Sequence, residues 1–197
     1  MPGAHQSKGL AMALELVQAL ARTELDDNLH MARLLMLMEA HSGRDGSAKA
    51  VDGVTKLAKL DFLLRYPNCL ERALKAKNKS TERARIQEFE KTTIESKMIR
   101  FRYGPWDHRY RRWIALLSGK GLLHAWVEGR TVKIQLTEAG QQAAIQLSED
   151  EELQDLAARA KLVDKTFGSM SGTALKDFVY ATFPEISNMR WGVPITI

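Results

Sequence analysis

RFRYGPWDHRYRRWIALLSGKGLLHAWVEGRTVKIQLT, residues Arg100–Thr137, sets the architecture that the remaining segments must fit. It reads as a helix, a break and a β-hairpin, the second half of a winged helix. After Gly104-Pro105, the residues Tyr110, Trp113, Ile114 and Leu117 recur at i, i+3, i+4 and i+7, which puts them on one helical face. At about 100° per residue, His108, Arg111 and Arg112 fall on the opposite face, with Arg109 on its flank. Gly119 and Gly121 end the helix. Leu122–Val127 and Thr131–Leu136 are two β-rich runs around the turn Glu128-Gly129-Arg130. In the second run Val132, Ile134 and Leu136 alternate with Thr131, Lys133 and Gln135, so one face is packed and the other wet. Thr137 then caps a helix through Leu147.

The segments before this unit supply its other helices. Leu10–Ala21 predicts a short amphipathic helix that either covers the core or meets a partner. Asp26, Asp27 or Asn28 can cap the next helix, which runs to about Ala40. Its run Leu34–Met38 is apolar on nearly every side, which suits the centre of a core. After a loop over His41–Gly53, Val54–Arg65 is helical, with Leu57, Leu60 and Leu64 inward and Lys56 and Lys59 outward. Tyr66-Pro67 breaks it. A further short helix follows from Cys69 to about Ala76. Lys75–Lys97 is charged, with Ile86, Phe89 and Ile94 as its large apolar residues, and reads as an inserted arm.

Beyond Leu147 the chain reads as a separate extension. Ser148 can cap a helix whose first turn, Glu149–Glu152, complements the helix dipole. Leu153, Leu156, Ala157, Ala160, Val163 and Phe167 form an apolar stripe, and Thr173–Phe183 a second helix stopped by Pro184. The tail carries Met189, Trp191, Val193, Ile195 and Ile197, which must dock on their own domain or on another protein. The expected fold is therefore mainly α with a small β-hairpin. A winged helix-turn-helix domain spans 29–147, with a charged insertion at about 75–97. An N-terminal helix or tail at 1–28 precedes it, and a C-terminal helical extension at 148–197 follows.

Composition narrows the function. The 197 residues carry 45% hydrophobic and 27% charged side chains, as ordinary globular chains do, and a net charge of +5 permits an acidic partner without requiring one. The charge is uneven: Glu71–Arg112 holds 13 Lys/Arg against 6 Asp/Glu. The single cysteine, Cys69, excludes an internal disulfide and suits the cytoplasm. Leu10–Ala21 is too short and polar for a membrane span. There is no phosphate loop, dinucleotide fingerprint, HExxH or nucleophile elbow, so no catalytic, cofactor or metal residue is assigned. Asp107-His108 could be an acid–base pair, but Asp107 after Trp106 is more simply a helix cap.

The basic helix and hairpin carry the functional signal. In a winged helix, Arg109, Arg111 and Arg112 could reach phosphates or guanine edges of duplex DNA, and Arg130 and Lys133 sit where a wing meets the backbone. The same arginines on an exposed face could equally be solvated. Phe178, Met189, Trp191 and Ile195 are the candidate protein-partner residues, because they gain most by leaving water.

Two motifs, DGVTKLAKLDFLLRYPNCLERAL at Asp52–Leu74 and RYGPWDHRYRRWIALLSGKGLL at Arg102–Leu123, are followed by LTEAG at Leu136–Gly140 and ALKDFVYATFPEI at Ala174–Ile186. Together they resemble the middle component of ABC-three-component, Lamassu-type bacterial defence systems. A looser similarity links the KLxKL-like helix and the YGP turn to Panacea-type winged-helix proteins. The first resemblance implies a non-enzymatic accessory subunit that docks on an SMC/Rad50-like ATPase beside a separate effector subunit. Such a subunit helps couple DNA sensing to effector release. The alternatives are a winged-helix transcriptional regulator, which would bind a defined duplex alone, and a toxin-neutralising protein, which would bind one partner and no DNA.

Overall fold

The computed structural model describes residues 27–42, 47–88, 90 and 97–196. The helix expected over Leu10–Ala21, the cap at Asp26, and Phe89, Ile94 and Ile197 lie outside them. The described chain is mainly helical with small antiparallel sheets. Helix α1 spans Asp27–Ala40, and Leu34 to Met38 are all buried, as an apolar run without a polar face requires. A two-residue strand β1 (Val51–Asp52) leads into α2 (Val54–Arg65). Pro67 ends α2 and occupies the first turn of α3 (Pro67–Ala76), where its missing N–H costs no hydrogen bond. A 3-10 turn at Glu82–Ala84 follows, then the hairpin β2 (Ile99–Phe101) and β3 (Gly104–Trp106).

Helix α4 (Tyr110–Gly119) precedes β4 (Leu123–Glu128) and β5 (Thr131–Leu136). These pair from Leu123↔Leu136 to Glu128↔Thr131, and β1 joins the other edge of β5, giving the order β1-β5-β4. The Thr137 hydroxyl accepts from the Gly140 amide and caps α5 (Glu138–Glu149). Gly140 lets that helix cross the strand: a Cβ there would sit 2.0 Å from the Leu122 carbonyl oxygen. Then come α6 (Gln154–Val163), a π-turn at Asp164–Gly168, α7 (Gly172–Thr182) and α8 (Pro184–Asn188).

Several expectations are corrected. Lys56 and Lys59 are buried, not outward, because α2 is packed on every side by α1, β3, α6, α7 and the π-turn. Their amines bond carbonyls instead: Lys56 Nζ donates to Gly168 O at 2.7 Å and Lys59 Nζ to Thr55 O at 2.8 Å. Val132 stays exposed because it pairs with Val127 near the hairpin tip, beyond the core; only Ile134 and Leu136 are packed. Ser148 does not cap a new helix. Its hydroxyl donates back to Ala144 O, and the chain turns at Asp150, whose carboxylate accepts from the Glu152 amide, before α6 begins.

Residues from 148 onward do not form a separate layer. Ala160, Val163, Phe167, Leu175, Val179 and Phe183 share one buried cluster with Leu34, Phe62 and Trp113, and Phe183 meets Phe62 edge-on at 5.5 Å. The charged arm is also tied down as far as Glu90. Arg159 donates to Ala84 O at 2.8 Å, to Arg85 O at 3.1 Å and to the Glu90 carboxylate at 2.6 Å.

Candidate functional site

The approach to α4 is held by buried ions. Asp61 on α2 accepts from Arg33 on α1 (Nε at 2.5 Å, Nη2 at 3.1 Å) and from the Tyr110 hydroxyl at 2.6 Å. Burial pushes the Asp61 carboxyl up, but Arg33, Tyr110 and Arg65 outweigh it and hold it below the usual carboxylate range. Burial and the adjacent Asp61 carboxylate push the Tyr110 phenol well up. One turn further along α2, Arg65 donates to Asp107 at 3.0 Å. Asp107 also accepts the Arg109 amide at 3.0 Å and the Arg109 guanidinium at 2.7 Å, and these contacts overcome burial to keep it far below the ordinary value. Asp107 thus turns the chain into α4 and anchors it at once. Its neighbour His108 lies 4.0 Å away and points into solvent.

Arg33 on α1 apart, the members of this network come from the two long motifs quoted above. Asp61 and Arg65 lie in the first; Asp107, Arg109 and Tyr110 lie in the second. Gly104, at φ +123, sits over Lys59: a Cβ there would lie 3.4 Å from the lysine Cε. These motif residues therefore build the scaffold.

The expected nucleic-acid residues divide. Arg111 and Arg130 are exposed and make no ion pair among the described residues. Arg112 is 70% exposed in its side chain and reaches Asp27 at 2.8 Å. Arg109 and Lys133 are each held by carboxylates. Arg109 is drawn back onto Asp107 and lies over the Trp113 ring at 5.0 Å, because a buried carboxylate outcompetes solvent. Lys133 is neutralised between Asp52 at 2.6 Å and Glu128 at 3.2 Å, which flank it on β1 and β4, and these bonds raise its pKa. Trp113 itself is buried; its indole N–H donates to Asp27 at 2.7 Å and its ring meets His30 at 4.6 Å.

The expected partner residues also divide. Ile195 is corrected: it is buried, and its amide donates to Met98 O at 2.8 Å, so the tail lies along β2. Phe178 and Met189 are half-buried, Phe178 between Phe167 at 5.3 Å and the Lys77 amine at 4.8 Å. Trp191 alone of the four is well exposed, at 64%. Sequence reading missed Phe101 and Tyr103 beside it; their alternation in a short run before Gly104 was the available signal.

Burial pushes the Cys69 thiol up to about 12, which leaves it without thiolate character. Among the described residues no three His, Cys, Asp or Glu side chains gather as a metal site, and no helix is long and apolar enough to cross a membrane. Comparison with known protein families, with curated proteins and with solved structures finds no match.

Proposed function

We propose that this chain is a non-enzymatic accessory subunit of an SMC/Rad50-like ATPase defence complex. In this reading it docks on the ATPase and touches duplex DNA through α4 and the β4–β5 hairpin, and so helps couple DNA sensing to effector release. The observation that carries the DNA part is the order α1, β1, α2, α4, β4, β5 with sheet order β1-β5-β4. This order supports the winged-helix reading, in which α3 and the β2–β3 hairpin are an insertion before the third helix. The helix ahead of the hairpin is the one that enters a major groove, and here its solvent face carries Arg111 and Arg112, with Arg130 at the hairpin turn. The ATPase part is supported by the motif resemblance and by Trp191, an exposed anchor of the type that dominates protein interfaces.

The test is a double charge reversal, Arg111→Glu with Arg112→Glu. Duplex binding by the assembled complex should weaken, and its salt dependence should flatten by roughly two units or fewer, as two lost phosphate contacts require. Co-purification with the ATPase should stay intact. Loss of assembly with unchanged DNA binding would make the arginines a docking surface and end the case for direct DNA contact. Tight binding of a palindromic duplex by the chain alone, with half-sites about one helical turn apart, would favour a free-standing transcriptional regulator.

A further inference from the structure

We infer that the tip of the β2–β3 hairpin and the tail beside it form one docking surface, fitted to a protein whose apolar contact is ringed by carboxylates. This deepens the accessory-subunit reading and rests on it: the partner is the ATPase of that complex.

Phe101 and Tyr103 are 43% and 47% exposed, and Trp191 and Val193 are 64% and 40% exposed. Among the described residues these are four of the eight large hydrophobic side chains left in solvent, so the exposure is concentrated and not scattered. The two segments are bonded to each other. Arg100 N donates to Val193 O at 2.9 Å, Gly192 N to Arg100 O at 2.7 Å and Ile195 N to Met98 O at 2.8 Å. Phe101 is braced by the Trp106 ring at 6.0 Å, and Ile195 anchors the tail in the core. The exposed rings therefore stand on a fixed frame, which lowers the entropy lost when a partner binds.

Charge selects the occupant. Residues 97–106 and 188–196 contain no Asp or Glu, but do contain Lys97, Arg100, Arg102 and Arg190. Arg100 is buried and donates to Ile186 O at 2.9 Å, while Arg102 and Arg190 are exposed, Arg102 lying over the Tyr103 ring at 5.3 Å. A second copy of this chain would set a surface that carries cations and no carboxylate in these two segments against itself across a two-fold axis, which like charges oppose. A nucleic-acid strand needs a run of cations along its backbone and ring faces for its bases. With Arg100 buried and Val193 and Pro194 in the middle of the surface, that run and those faces are interrupted. An acidic-rimmed protein satisfies both the apolar centre and the positive edge.

The test compares two variants of the full chain, co-expressed with the ATPase and titrated after purification: Trp191→Ala with Tyr103→Ala, and Arg102→Glu with Arg190→Glu. The side chains changed are exposed, so thermal unfolding should move by no more than about 2 °C and serves as the folding control. The apolar pair should weaken ATPase binding by at least roughly thirtyfold, the scale of an interface anchor. The charge reversal should weaken it by at least roughly tenfold, and wild-type binding should fall with added salt. Wild-type binding that either variant pair retains within about twofold overturns this surface alone. A wild-type chain that leaves the ATPase unbound overturns the accessory-subunit reading, and this surface with it. Tryptophan quenching by oligothymidylate that disappears in Trp191→Ala would reassign the surface to single-stranded nucleic acid and overturn the proposal as well.

Discussion

Arg109 and the pair Arg111–Arg112 lie within four residues of one another, yet they meet opposite environments. Arg109 folds back onto the buried Asp107 carboxylate and the Trp113 ring, while Arg111 and Arg112 stand in solvent on the other side of the same helix. The difference comes from what lies beneath. Asp107 is fixed from below by Arg65, so it offers Arg109 a geometry already in place. Arg112 finds only Asp27, at the first turn of α1, with water on most sides. The RYRRW stretch is therefore not one basic patch. One cation holds α4 in position, and the others stand on its solvent side.

The largest expected effect breaks the buried half of this comparison. Asp61→Ala removes the acceptor shared by Arg33 and Tyr110 and leaves a buried guanidinium without its carboxylate, which should cost about 3–5 kcal/mol in urea unfolding. The pH dependence follows from the direction of the shifts. Asp61 and Asp107 are held below their unfolded values, so their contribution is complete above about pH 4 and is lost as pH falls through the folded-state values. The variant should therefore show a shallower loss of stability in acid than the wild type. An equally steep acid limb would mean that the network does not anchor α4.

Much of the scaffold was legible because its signals are local. The period of Tyr110, Trp113, Ile114 and Leu117, the Pro67 break and the Thr137 cap each need only a few neighbouring residues, and the structure shows them as read. The errors fall where distant elements decide. Nothing near Lys56 or Lys59 announces that α2 is wrapped on every side, and Asp52 and Glu128 meet Lys133 only once three strands are paired. Strand β1 and the β2–β3 hairpin were missed because two- and three-residue strands carry no periodicity. Ile195 read as a candidate partner contact because the segment it bonds, at Met98 just before β2, lies almost a hundred positions earlier in the chain.

A cation buried without a carboxylate should behave unlike either arginine class. Lys59 is 2% exposed, and burial, with Lys176 nearby, lowers its amine to about 8. Below that value the folded state carries a buried charge. Lys59→Met keeps the stem that lies over Gly104 and removes the charge, so it should stabilise the protein by about 2 kcal/mol at pH 7. As pH rises from about 8 towards 10, the wild type sheds a proton on folding that its unfolded chain retains, so its stability rises and the gap to the variant narrows. Denaturant unfolding at several pH values checks this. A gap that widened with pH would reverse the assignment.

The smallest expected effect sharpens the exposed half. Arg112 and Trp113 both reach the Asp27 carboxylate, the first through an ion pair at 2.8 Å in solvent, the second through an indole N–H at 2.7 Å from a buried ring. An exposed ion pair gains little after screening and the loss of side-chain freedom, so Arg112→Ala should change stability by less than about 0.5 kcal/mol. Asp27→Ala removes the same ion pair and also leaves the Trp113 N–H without its acceptor, which should cost about 1–2 kcal/mol. The double variant should then match Asp27→Ala alone, since Arg112 has nothing further to lose there. Thermal unfolding of the three variants at low and physiological salt reads the two contributions separately. If Arg112→Ala proved as costly as Asp27→Ala, Arg112 would join Arg109 in holding α4, leaving Arg111 and Arg130 as the cations of this face that are free to meet a phosphate.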